Sequence, residues 1–227
     1  MDGLMFETGQ LAYRGYLKAA KKHNYEVTPN VYYYLTGRNE EDIREHMKVL
    51  YGLEVPTNEW RDSINYFKDQ ILADEKRVYK KKGLIELLDF AKNKGIKVAI
   101  ASSSPRETVD YYLEIEEIAD YIDVIVAGDE VVRSKPEPEI FLTACKKAGV
   151  KKSEAVVFED SAVGIEAAQR AGIKSILIED DITAMPNNQG YHKLQKDLSD
   201  LGATLPNTDY KFMNLLEVKH FLDNLMK

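Results

Sequence analysis

Downstream of Gly95 the chain repeats one pattern: a short, almost wholly apolar run, then a stretch with helical periodicity. The runs cover 97–101, 124–127, 155–158 and 175–178. Apolar runs without alternation fit strands covered on both faces. Helical patterns over 105–113, 138–148 and 164–171 separate them, and Gly149 and Gly172 stand where a helix end takes a left-handed residue. Strand–helix–strand repetition implies right-handed crossovers and a parallel sheet. The expected class is α/β.

The first eighty residues follow a different rule. Stretches 11–22, 29–35, 40–50 and 58–76 are helix-like and carry no strand alternation. They read as a four-helix insertion over 11–80, with 1–10 and 81–227 forming the sheet-bearing core. A helix over 84–94 leads into the sheet, 180–206 is loop-rich, and a helix over 215–226 closes the chain. The adjacent tyrosines Tyr32, Tyr33 and Tyr34 could line a pocket, although packing is the commoner use of such bulk.

Composition excludes several classes. A formal charge of −7 argues against a nucleic-acid backbone as partner, while a small anionic substrate stays compatible with a locally positive site. Cys145 is the single cysteine, so no intramolecular disulfide forms, as expected of a reducing compartment. No long apolar run or secretory leader is visible, and the expectation is a cytoplasmic protein without membrane contact.

Four groups stand just beyond the expected strand ends. Glu159 and Asp160 close the run Ala155-Val156-Val157-Phe158. Adjacent carboxylates at a buried strand end repel unless a cation or a shared proton relieves them; a helix cap alone would explain only Asp160. Ser102 ends another run, and Ser104, Pro105 and Glu107 after it have capping-box spacing, a ready anion site at a helix start. Lys135 follows a third strand, although a loop lysine is most often merely solvated. Asp2-Gly3 opens the chain. Residues beyond successive parallel strands converge on one crevice. A hydroxyl, a lysine, backbone donors and metal-binding acids together suit a phosphoryl group.

These segments resemble the haloacid dehalogenase superfamily, in the branch of β-phosphoglucomutase-like sugar-phosphate phosphatases with a helical cap. The matching pieces are Asp2-Gly3-Leu4-Met5-Phe6-Glu7-Thr8, Ala99-Ile100-Ala101-Ser102-Ser103-Ser104, Ser134-Lys135-Pro136-Glu137-Pro138 and Glu159-Asp160-Ser161-Ala162-Val163-Gly164. The resemblance implies a Rossmann-like core with a cap, Mg²⁺ as cofactor, and hydrolysis of a small phosphorylated metabolite through an aspartyl-phosphate. It further implies that Ser102 holds the phosphate with the Ser103 amide. Lys135 would bridge phosphate and nucleophile, while Glu159, Asp160 and the Asp2 carbonyl ligate the metal. Asp2 would be general acid and base, and Arg38, on the loop Gly37-Arg38-Asn39, a specificity residue.

The pattern departs in places. The family motif is Asp-x-Asp-Gly with the first aspartate as nucleophile, and Met1 occupies the intervening position, so the expected nucleophile and its strand would precede Met1. About ten further residues upstream, one strand and a short lead-in, are the expectation. The competing reading is a phosphate-binding relative without turnover. Ala12 stands where the mutases carry a histidine, and Glu40 where they carry a phosphate-gripping arginine. Both favour hydrolysis over phosphohexose mutase activity. A receiver-type signalling domain shares the acid, hydroxyl and lysine order but is smaller than this chain.

Overall fold

The computed structural model describes residues 1–35, 40–180 and 208–226. The chain divides into two compact units, one holding Thr8–Lys76, the other Met1–Glu7, Arg77–Asp180 and the C-terminal strand and helix.

The first unit is helical: α1 (Thr8–His23), α2 (Pro29–Leu35), α3 (Glu40–Tyr51) and α4 (Thr57–Glu75). These are the four expected helices, with α1 starting three residues earlier than the periodicity suggested. Their apolar faces meet around Tyr16, Leu35, Met47, Trp60 and Ile64. Tyr25 stacks on Trp60 with centroids 4.7 Å apart. Tyr32 is buried and meets Tyr13 and Tyr16 edge-on at 5.5 and 5.4 Å, so this tyrosine is core rather than pocket lining. Arg38 and the side chains of Tyr33 and Glu40 lie outside the described residues.

The second unit alternates as the sequence predicts: α5 (Leu84–Asn93), β1 (Ala99–Ala101), α6 (Arg106–Ile115), β2 (Val124–Val126), α7 (Glu139–Ala148), β3 (Val156–Glu159), α8 (Ala162–Ala171), β4 (Lys174–Ile178), β5 (Tyr210–Phe212) and α9 (Leu215–Leu225). Every described ladder is parallel. The sequence expectation is a parallel sheet whose first strand would precede Met1; among the described residues the strands form two parallel sheets, β1–β2 and β3–β4–β5, with no ladder between them. The segment Asp2–Phe6 contributes only isolated bridges, Asp2 with Phe6 and Phe6 with Lys80. Strand β5 has no counterpart in the sequence pattern, because Tyr210-Lys211-Phe212 is too short to show a period. Helices α7 and α8 end as expected at Gly149 and Gly172 in the left-handed region.

The core of this unit gathers β2, β3, α7 and α8 through Val126, Ile140, Phe141, Val157, Ala167 and Ile173. Ala167, Ala168 and Ala171 pack α8 into this core, and because only two residues separate β3 from α8, the carboxyl end of the strand lies at the start of that helix. Among the described residues, no helix is long and apolar enough to cross a membrane.

Candidate active site

Strand β3 delivers Glu159 into the protein, not to its surface; the residue is 5% exposed. A buried carboxylate needs donors, and Glu159 has them. Its Oε2 accepts from the Ser161 hydroxyl at 2.9 Å and from the Asp160 and Ser161 amides at 3.2 Å. Its Oε1 accepts a short hydrogen bond from Lys135 Nζ. Burial pushes the Glu159 carboxyl up, but the Lys135 ammonium outweighs it and holds the group below the usual carboxylate range. Lys135 is therefore no solvated loop lysine. Its ammonium also reaches the Ala101 carbonyl at 3.4 Å and lies 5.0 Å from the centroid of the Phe141 ring.

The helix after the acid pair is capped by Ser161, whose hydroxyl accepts from the Gly164 amide at 3.1 Å. Capping therefore does not account for Asp160. A Cβ built on Gly164 would stand 2.0 Å from the Glu159 Cδ, so only glycine admits the carboxylate there.

Asp160 turns toward the N-terminal segment. A Cβ on Gly3, whose φ is +66°, would lie 2.2 Å from Asp160 Oδ2 and 3.0 Å from Asp180 Oδ2, so two carboxylates close on one point. Burial first, then Glu159 and Asp180, push the Asp160 carboxyl up to about 7. Asp180 is held by Lys81, which also pairs with Glu7 at 2.9 Å. Burial opposes the charge on Lys81, but Asp180 and Glu7 outweigh it and raise its pKa. The sequence reading missed Asp180, although Glu179-Asp180 directly after β4 is the same signal as Glu159-Asp160 after β3.

Ser102 is 2% exposed, and its oxygen accepts from the Ser104 amide at 3.1 Å, which leaves the hydroxyl proton to donate elsewhere. The expected capping box is not formed. Helix α6 begins at Arg106 with no side-chain cap from its own N-terminal residues. Its Arg106 amide is taken by Asp129 at 3.0 Å. The Ser104 hydroxyl instead donates to Asp2 Oδ2 at 2.8 Å.

The contacts thus close a ring: Ser102 to Ser104, Ser104 to Asp2, Gly3 to Asp160, Glu159 to Lys135, and Lys135 to the Ala101 carbonyl next to Ser102. Asp2, Ser102, Lys135, Glu159 and Asp160 come together as the sequence suggested. Ser103 is on the same loop and exposed; Arg38 is outside the described residues. Hydroxyl and ammonium donors face acids in need of compensation, the pattern of a site for an anion and a cation together. Among the described residues no three acids, histidines or cysteines form a ready metal cluster. The donors here are all oxygen, as a hard cation requires.

Residues 1–178 match the family model of haloacid dehalogenase-like hydrolases. The chain is 35% identical over 182 residues to a phosphorylated carbohydrates phosphatase of Thermotoga maritima, covering 78% of this chain and 81% of that protein. It is 28% identical over 174 residues to validoxylamine A 7'-phosphate phosphatase of Streptomyces hygroscopicus, covering 76% and 80%. Two further curated relatives are spanned over only 12% and 52% of their own length. Among solved structures, a haloacid dehalogenase-like protein from Agrobacterium tumefaciens superposes with a TM-score of 0.76 at 20% identity, covering 100% of this chain and 96% of that one, a likeness of fold. The chain belongs to the haloacid dehalogenase-like hydrolases.

Proposed function

We propose that this protein hydrolyses a small phosphorylated carbohydrate with the help of Mg²⁺. The observation that carries the reading is the ring of contacts joining Ser102, Asp2, Asp160, Glu159 and Lys135. The name of the Thermotoga relative supports the substrate class.

The chain's own residues divide the work. The Ser102 hydroxyl, with its oxygen already satisfied by the Ser104 amide, donates to a phosphoryl oxygen, and the Ser103 amide is assigned a second oxygen. Lys135, fixed by Glu159 and the Ala101 carbonyl, supplies positive charge where the transferred group is most negative. Asp2, held by the Ser104 hydroxyl, gives a proton to the leaving oxygen and then takes one from water. Asp160, Glu159 and the Asp2 carbonyl would hold Mg²⁺, which when bound offsets charge on the phosphoryl oxygens. Arg38 is assigned to substrate choice, and the helical segment 11–80 to the cap of the core formed by 1–10 and 81–227.

An aspartyl-phosphate route requires an attacking carboxylate two positions ahead of Asp2, before Met1. The test compares the chain extended with the family's first strand, carrying either Asp or Asn at that position. The assay is phosphate release from a panel of sugar phosphates with and without Mg²⁺. Release that requires both Asp and Mg²⁺ is expected. Equal release from the Asp and Asn chains, or from neither, refutes the reading; isomerised sugar phosphate without release would replace hydrolysis by mutase chemistry.

A further inference from the structure

Outside the ring of phosphoryl-binding groups, one carboxylate is more heavily bonded than any catalytic role explains. Glu116 ends helix α6, and its side chain has no exposed surface. Its Oε1 accepts from Arg77 Nε at 3.0 Å and from the Val78 and Tyr79 amides, both at 2.9 Å. Its Oε2 accepts from Arg77 at 3.3 Å and Lys80 Nζ at 2.8 Å, and the same ammonium reaches the Glu116 carbonyl at 2.8 Å. One side chain thereby fixes four consecutive residues, Arg77 to Lys80.

That segment is what holds the loop bearing Asp2. The Glu7 amide donates to the Tyr79 carbonyl at 2.9 Å, and the Lys81 amide donates to the Met5 carbonyl at 2.8 Å. Between those two bonds Phe6 bridges Lys80, and Asp2 bridges Phe6 in turn. Phe6 is fully buried, its ring edge-on to Tyr112 of α6 at 5.9 Å. The segment is also strained. Tyr79 sits at φ +59°, a left-handed conformation that costs a bulky residue and persists only where neighbours over-determine it. The Glu116 bond to the Tyr79 amide is one such determinant. An anion buried for packing alone would be a poor choice, since an apolar side chain fills the same space without desolvation cost.

We propose that Glu116 is a positioning residue, which fixes Arg77–Lys81 so that this segment can hold the Asp2 loop at the place where Asp2 meets Ser104. The inference rests on the reading of Asp2 as the acid and base of hydrolysis, but its physical half is testable without turnover. In Glu116→Gln, which keeps size and loses charge, hydrogen–deuterium exchange at the Glu7 and Lys81 amides should accelerate at least tenfold, while Val157 and Ile176 in β3 and β4 stay unchanged. In the active extended chain, kcat should fall at least tenfold with KM retained.

Uniform acceleration across the unit would mark Glu116 as a general stabiliser and overturn the proposal, as would no change at Glu7 and Lys81. Local acceleration with kcat unchanged would overturn the positioning role. If the unsubstituted extended chain releases no phosphate, the functional reading fails, and the exchange data still decide whether Glu116 holds the loop. Should Glu116→Gln not fold, Arg77→Met and Lys80→Met each remove one partner and are read the same way.

Discussion

Replacing Gly164 by alanine sets two physical effects of opposite sign against each other. Gly164 lies within the first turn of α8, and in an ordinary helix alanine there would gain about 1 kcal/mol over glycine. The structure predicts the reverse. The new Cβ would stand 2.0 Å from Glu159 Cδ and 2.3 Å from both carboxylate oxygens. Those oxygens cannot retreat cheaply, because Lys135 and Ser161 hold them. Overpacking of this kind costs about 1–3 kcal/mol, and parting a buried ion pair costs about 3–5 kcal/mol. The carboxylate rotates rather than disappearing, so part of that second cost applies. After subtracting the propensity gain, the net loss is about 2–4 kcal/mol.

Urea denaturation followed by far-ultraviolet circular dichroism measures it, with a midpoint shift of about 1 M expected for a slope of roughly 2–3 kcal/mol per M. Tryptophan fluorescence alone is unsuitable, since Trp60, the only tryptophan, is buried in the helical unit. In a Glu159→Ala background the clash is gone, and alanine at 164 should become neutral or stabilising. The two substitutions should then couple by at least about 2 kcal/mol in a double-mutant cycle. A Gly164→Ala protein as stable as its parent would refute the packing of Glu159 against α8, and with it the placement of Lys135.

Three further outcomes are expected. Burial raises the Glu116 carboxyl, but Arg77, Lys80 and two amides outweigh it and hold it at about 2. With its folded pKa depressed, Glu116 contributes about 3 kcal/mol that is fully present above the unfolded value near 4.5 and is lost as pH falls toward 2; Glu116→Gln should flatten that part of the acid-denaturation curve, and an unchanged curve counts against it. Mg²⁺ at a hundredfold excess over Kd should stabilise the unsubstituted protein by about 2.7 kcal/mol, read as a rise in melting temperature, and Asp160→Asn should abolish that rise; an equal rise in both proteins removes Asp160 from the cation site. Lys135→Ala in the extended chain should lower turnover by about two to three orders of magnitude, and near-normal turnover would end its assigned role.

The elements of the core were legible because each is encoded locally. Apolar runs gave β1 to β4 to within two residues at either end, and Gly149 and Gly172 marked helix ends. Ser102, Glu159 and Asp160 were legible as residues at the ends of parallel strands, and Lys135 as lying on the loop that follows another such strand, a rule of topology that needs no distances. What failed were competitions between partners far apart in sequence. The spacing of Ser104 and Glu107 signals a capping box, whereas in the folded chain the Ser104 hydroxyl donates to Asp2, 102 positions away, and the Arg106 amide donates to Asp129. Likewise Glu116 looks like one of several acids after α6, and only the folded chain brings Arg77 and Lys80 to it.

Glycine provides a signal that a reading by hydrophobic period passes over. Gly3 and Gly164 are 161 positions apart in the chain, and each stands where a side chain would occupy the space of an acid of the adjacent pair, Asp160 in one case and Glu159 in the other. Glycine in a helix costs stability, and at φ +66° it removes a restriction most residues obey. Neither choice helps the fold by itself. Both become intelligible once the carboxylates must sit against backbone on two sides, leaving their remaining faces to Lys135 and to the Asp2 loop. On this view the acid pair is the fixed point and the surrounding backbone is shaped to it. Alanine at either glycine should therefore weaken binding of Mg²⁺ and of inorganic phosphate, read by titration calorimetry, more than Ala167→Val does at a fully buried position of the same helix α8; equal weakening by all three would refute the idea.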